Sequence, residues 1–223
     1  MASLHHLWWT FVRRFFHLLY GPFSWTYDGV AWLVSLGQWT AWGRVALPHL
    51  KGPPVLELAH GPGHLLVTMA CRGLTPVGLD LSPQMGRVAR RRLLRSSLPV
   101  RLVRARAQAL PFGDGSFPSI VATFPTEFIL DPRTVREVVR VLSPEGTVAV
   151  VAGARLTGRD PLSAFLEWLY RVTGQRKPLP RGDETAWGHS GLTLRTEWVP
   201  VGRSRVLLVL GRRTASGSST SST

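Results

Sequence analysis

From Val55 onward the chain alternates short apolar runs with longer amphipathic stretches, and few folds other than parallel strands laid between helices satisfy that pattern. Strands are predicted at residues 55–58, 77–80, 100–103, 120–124 and 147–151, with helices at 64–72, 83–95 and 133–142. Residues 160–172 read as a further helix, with Asp160 as its cap and Pro161 at its first position. The polar, Pro- and Gly-rich stretch 175–190 reads as a loop. Residues 192–199 and 205–210, with Gly202 between them, fit a closing antiparallel hairpin. The fold class is therefore α/β with a mostly parallel sheet.

A length of 223 residues suits one such domain with a modest appendage. Residues 1–50 read as an N-terminal amphipathic, aromatic helical cap, 51–213 as the catalytic domain, and 214–223 as a low-complexity disordered tail. In the first twenty residues His6, Thr10, Arg13, Arg14 and His17 share one helical stripe, opposite Leu4, Leu7, Trp8, Phe11, Phe15, Leu18 and Leu19. Arg13 and Arg14 interrupt the apolar run, which argues against a spanning segment, and no small-residue cleavage site follows. The sharper reading is a helix lying in the headgroup layer; the plainer one is a face packed on the protein's own core or a dimer partner. Trp25, Trp32, Trp39 and Trp42 continue the aromatic character and suit an interface, an apolar pocket or a core equally.

The formal charge of +14, carried almost wholly by Arg, attracts anionic partners, although base composition gives the same bias. With 44% hydrophobic and 18% charged residues the chain is not a disordered one. The single cysteine, Cys71, excludes a disulfide framework and a Cys-based metal cluster, suits a reducing cytosol, and is expected to be a buried small hydrophobe. No metal is expected.

The chemistry concentrates in residues 55–66, VLELAHGPGHLL. A strand, an acidic residue, a glycine-containing turn and a helix let backbone approach a ligand closely at the carboxyl edge of a parallel sheet. Asp80 ends the next strand about twenty residues later, where a carboxylate accepts both hydroxyls of a ribose. Neither G-x-G-x-x-G nor G-x-x-x-x-G-K-[ST] is present, which weakens the case for a dinucleotide or a nucleoside triphosphate.

These residues resemble the first motif of class I S-adenosylmethionine (SAM)-dependent methyltransferases. Residues 77–85 (VGLDLSPQM), 107–117 (AQALPFGDGSF) and 136–150 (REVVRVLSPEGTVAV) are similar to the motifs that follow it. Within that superfamily the resemblance is to the ubiquinone/menaquinone biosynthesis C-methyltransferases, which also carry Ala at the position of Ala59. They share a Tyr-Asp segment, here Tyr27-Asp28, then Ser35-Leu36-Gly37 and Trp42. The resemblance implies a Rossmann-like, doubly wound, seven-stranded sheet. It implies that Ala59, Gly61 and Gly63 contact the methionine part of SAM, with Glu57 supporting the loop. Asp80 would hold the ribose, Leu81 flank the adenine, Ala107 and Gln108 lie along its edge, and Phe124 face the sulfonium. Three positions depart from the pattern: Arg106 stands where Asp is usual, Pro118 where Asp is usual, and His60 where Gly, Cys or Thr is commoner. His60 reaches the cofactor's carboxylate or is a plain loop residue.

Methyl transfer from a sulfonium is a direct displacement, so alignment and exclusion of water matter more than a fixed catalytic pair. Glu127, Tyr27 and His189 are the candidates for a base, with Glu197 a further substrate-side carboxylate. Glu127 has a plain alternative as a helix-start carboxylate, and His189 as an exposed loop residue. The expected acceptor is lipid-soluble, a prenylated quinone precursor, with an aminophospholipid as the alternative. The expected location is cytoplasmic, on the inner face of the cell membrane, reached through residues 1–20. RNA methylation, suggested by the arginines between positions 87 and 106, and a non-catalytic SAM-binding membrane protein are weaker alternatives. The oligomeric state is left open.

Overall fold

A computed structural model describes Ser35, residues 37–157 and residues 186–213. The predicted leader helix, Tyr27, the helix at 160–172, most of the 175–190 loop and the tail lie outside the described residues.

Seven strands form one sheet: β1 (Val55–Leu58), β2 (Pro76–Asp80), β3 (Leu102–Arg104), β4 (Phe117–Thr123), β5 (Leu142–Leu156), β6 (Leu192–Val201) and β7 (Ser204–Arg213). Their order is β3-β2-β1-β4-β5-β7-β6. Strands β1 to β5 are parallel to one another, and β7 runs antiparallel to both β5 and β6. The described helices are α1 (Trp39–Gly43), α2 (His64–Cys71), α3 (Pro83–Arg95) and α4 (Pro132–Val141), with 3-10 turns at Arg44–His49 and Glu127–Leu130. The chain order reverses between β1 and β4, the place where open α/β sheets part to admit a ligand.

Alternation along the strands divides the core. Val55, Val121, Ala149 and Val151 face α1, α2 and α3, whereas Leu56, Leu58, Ile120, Val148 and Val150 face α4. Leu56, Leu58 and Ile120 are wholly buried, each contributing about 1.5–3 kcal/mol by leaving water. Trp42, Ala46 and Leu47 belong to the first of these clusters, so the end of the expected cap packs into the catalytic domain itself.

Both well-capped helices start as their sequences suggest. Ser82 accepts from the Met85 amide ahead of α3, and Asp131 from the Arg133 amide ahead of α4, each with proline in the first turn. In the turn after α4, Glu145 adopts φ 60°. Its carboxylate pairs with Arg212 at 2.7 Å and its carbonyl accepts from Lys51 Nζ, contacts that hold that turn. Cys71 corrects the expectation of a buried hydrophobe. It is exposed at the end of α2, on the face opposite the stripe of Leu65, Leu66 and Met69 that meets the sheet.

Candidate cofactor and acceptor site

At the end of β1 the backbone enters the left-handed region three times, at Ala59 (φ 52°), Gly61 (φ 52°) and Gly63 (φ 81°). Ala59 therefore stands in a conformation glycine favours, and its single methyl makes it the smallest chiral residue that can do so. The Gly61 amide donates to Asp80 Oδ2 at 2.9 Å and the Ser82 amide to Asp80 Oδ1 at 2.8 Å. The Asp80 carboxylate thus joins the two loops that follow β1 and β2. At Gly63 a β-carbon would lie 2.8 Å from Ala89 Cβ, so that glycine sets how closely α2 and α3 approach. At Gly61 a β-carbon would meet no protein atom within 4 Å. The open side of the turn is there.

Beneath the turn, Glu57 is 1% exposed and its Oε2 has no partner among the described residues. Burial pushes its carboxyl well above the usual range, and the nearby Asp80 charge adds to the rise. His60 is also buried. Its ring lies over Gly78, where a β-carbon would come within 2.9 Å of His60 Cδ2. Its Nδ1 lies 2.7 Å from the Gly61 carbonyl, an acceptor, so the proton sits on Nδ1. Burial holds the imidazole below its ordinary value, opposed by the Asp80 charge and the Gly61 carbonyl. His60 therefore props the turn as a neutral ring.

Across the pocket, Phe124 follows β4 with φ 49°, so the ends of the paired strands β1 and β4 both carry a non-glycine residue in the left-handed region. Such conformations collect at ligand sites. The Phe124 ring lies 4.4 Å from Trp39 and 6.0 Å from Trp42. Trp39, Thr40, Glu57, Ala59, His60 and Phe124 line one pocket, together with Thr68 and Thr123. No local pattern marks Trp39, Thr40, Thr68 or Thr123 as site residues. The tryptophan richness of the cap was the one available signal.

On the other side of Asp80, Leu81 is 55% exposed, Ala107 is buried and Gln108 is half-buried. Gln108 Nε2 donates to Asp131 Oδ2 at 3.3 Å, while Arg106 points to solvent in place of the family's carboxylate. The segment from 107 to 117 is clamped by α4. Arg140 donates to the carbonyls of Leu110 (3.0 Å) and Phe112 (2.8 Å) and to Asp114 (2.7 Å), and Glu137 accepts from the Leu110 amide at 2.7 Å.

Of the three expected bases, the two described ones, Glu127 and His189, are not brought together. Glu127 is exposed in the 3-10 turn after β4 and does not line the pocket. His189 is exposed and lines a different groove, with Pro132, Arg136 and Arg140, where the turn is anchored by Trp187 Nε1 on the Ile129 carbonyl at 2.8 Å. Tyr27 lies outside the described residues. Glu197 sits on the edge strand β6 and pairs with Arg195 and His49.

Residues 55–146 match the model of a methyltransferase domain. Over 156 residues the chain is 37% identical to a demethylmenaquinone methyltransferase of Thermus thermophilus, spanning 67% of this chain and 69% of that protein. The chain belongs to the class I SAM-dependent methyltransferases. A demethylmenaquinone methyltransferase of Symbiobacterium thermophilum is 30% identical over 69% of this chain, but the match spans only 63% of that relative's own length. The methyltransferase fold is also that of a geranyl diphosphate C-methyltransferase from Streptomyces coelicolor, solved with S-adenosylhomocysteine (TM-score 0.59, 16% identity, 78% of this chain and 79% of that one). A SAM-dependent methyltransferase from Methanococcus maripaludis gives a TM-score of 0.58 at 17% identity, over 87% of this methyltransferase and 90% of that chain. SAM is the cofactor.

Proposed function

We propose that this methyltransferase transfers the SAM methyl group to a ring carbon of a prenylated quinone precursor. The observation that carries the reading is the aromatic wall of Trp39 and Phe124, 4.4 Å apart, set across the pocket from the Glu57–Gly63 turn. Flat aromatic faces match the ring of a quinol by stacking. The names of the Thermus and Symbiobacterium relatives point to the same acceptor class.

The residues present fit SAM. The unpartnered Glu57 Oε2 is an acceptor buried at the floor of the pocket, and the Gly61 side of the turn has room for a ligand. Glu57, Ala59, His60, Gly61 and Gly63 would hold the methionine part, Asp80 the ribose, and Leu81, Ala107 and Gln108 the adenine. Asp80 spends one acceptor direction per oxygen on Gly61 and Ser82, and a carboxylate has about four, so both oxygens keep capacity for ribose hydroxyls. Leu81 is exposed beside Asp80 and offers an apolar face to a ligand. Bound SAM supplies an electrophilic methyl on a sulfonium. Phe124 and Trp39 orient the acceptor against it and keep water away. The proton on the methylated carbon leaves to water after the new bond forms, since the exposed Glu127 does not line the pocket.

Such an acceptor resides in membranes, which motivates a peripheral location on the inner face through residues 1–20. Among the described residues no helix is long and apolar enough to cross a membrane. The test is incubation with methyl-labelled SAM and either demethylmenaquinone, kept as the quinol by an added chemical reductant, or phosphatidylethanolamine, in separate vesicles. Label on the quinone is expected. Label on the phospholipid alone would overturn the carbon acceptor in favour of nitrogen.

A further inference from the structure

Between Asp80 and Asp114 the chain has eight arginines and no acidic residue. The structure gathers them at one edge. Along α3, Arg87, Arg90, Arg91, Leu94 and Arg95 follow the i, i+3, i+4, i+7, i+8 spacing and are exposed, opposite the buried stripe of Met85, Ala89 and Leu93. Arg101, Arg104 and Arg106 are exposed on and around β3, which is an edge strand of the sheet. No carboxylate among the described residues pairs with Arg87, Arg90, Arg91, Arg95, Arg101 or Arg106. Amid these charges stand exposed apolar side chains, Leu94 at 50% and Val100 at 36%.

We propose that the α3–β3 edge is a docking surface for an anionic lipid bilayer, separate from the N-terminal leader. A row of guanidinium groups meets a layer of phosphates, each basic group near the surface adding to the attraction. Leu94 and Val100 enter the boundary between headgroups and acyl chains, where exposed apolar groups gain and arginine stems lie flat. A nucleic acid has phosphates but offers Leu94 no apolar layer, and no aromatic residue for stacking bases occurs between positions 81 and 111. The same helix reaches the cofactor turn, since Arg92 Nη1 donates to the Pro62 carbonyl. Docking by this edge therefore brings the site beside the bilayer. The inference holds whichever acceptor is methylated, because binding is read without SAM.

The experiment is sedimentation of the full chain with vesicles of phosphatidylcholine alone or with about one-third phosphatidylglycerol, at about 0.1 M salt. Wild type should sediment with the anionic vesicles. The triple variant R87Q/R91Q/R95Q should bind on the order of a hundredfold more weakly. R136Q/R195Q/R205Q removes the same charge from exposed positions elsewhere and should lose less than about fivefold. R90Q/R101Q/R106Q, on the proposed surface, should behave like the first. Unchanged sedimentation of both surface variants would return binding to residues 1–20 and overturn the proposal. So would equal losses in all three variants, no binding by wild type, or tighter binding of single-stranded RNA than of anionic vesicles.

Discussion

The Gly61 amide donates to Asp80 Oδ2 at 2.9 Å, so one carboxylate at the end of β2 shapes the turn after β1 before any ligand arrives. Removing it costs order in the turn and, on the proposed binding of SAM, an acceptor for the ribose. Asp80→Asn keeps the shape but gives up the charge and one acceptor. Calorimetry with S-adenosylhomocysteine should show roughly thirtyfold weaker binding for Asp80→Asn and a hundredfold or more for Asp80→Ala, from about 2–3 kcal/mol of charge-assisted hydrogen bonding.

Glu57 gives a prediction in which stability and affinity move apart. Its carboxyl is raised, so the folded protein holds the proton more tightly than the unfolded chain does. Stability supplied by the protonated group is full below the ordinary carboxylate range and declines as pH rises above about 4.5. Glu57→Gln should therefore gain on wild type in urea denaturation as pH is raised from 4.5 to 8, while binding SAM at least tenfold more weakly. A wild type that gained stability relative to the variant over that range would contradict the burial argument.

Two glycines of the same turn should fail in different ways. Gly63→Ala drives a methyl into Ala89 at 2.8 Å and forces a left-handed alanine, so about 2–4 kcal/mol of stability should be lost. Gly61→Ala meets no protein atom and should cost only about 1 kcal/mol from backbone conformation. The methyl then occupies the open side of the turn. Thermal melts should separate the two variants, and calorimetry should show Gly61→Ala losing cofactor affinity more than tenfold despite its near-native melt.

The clamp of α4 on residues 110–114 is testable by amide exchange. Glu137→Ala removes the acceptor of the Leu110 amide and one partner of Arg140. Exchange at Leu110 should quicken about tenfold or more, while amides in β1 and β4 keep their protection. Arg140→Lys should produce a similar change, since an ammonium cannot reproduce the fork that reaches two carbonyls and two carboxylates.

Much of the fold is readable along the chain because it rests on local periodicity. The predicted strand Val55–Leu58 and helix Pro83–Arg95 coincide with the observed elements, and the C-terminal hairpin is antiparallel as its Gly202 turn suggests. Errors lie at boundaries. The strand expected at 100–103 is Leu102–Arg104, because the pairing of Gly78 with Leu102 sets the register. The strand expected at 147–151 extends over Leu142–Leu156, because β7 pairs with it from Thr147 to Leu156 and β4 pairs with Leu142. The bases were harder to place. His189 follows the turn anchored on Ile129, and Glu197 answers Arg195 and His49, neither of which a linear pattern specifies.

What the chain determines by itself is the alternation of strands and helices, the caps on α3 and α4, and the pairing of a glycine turn with Asp80. Each is a choice that neighbouring residues make through backbone sterics and local hydrogen bonds. The tertiary structure decided which residues share the pocket. Trp39 meets Phe124, His60 settles over Gly78, and Glu57 has an oxygen unpartnered among the described residues only because β1, β2, β4 and α1 converge. Burial and strain of that kind are properties of the packed whole, in which residues far apart in sequence exclude water from one another.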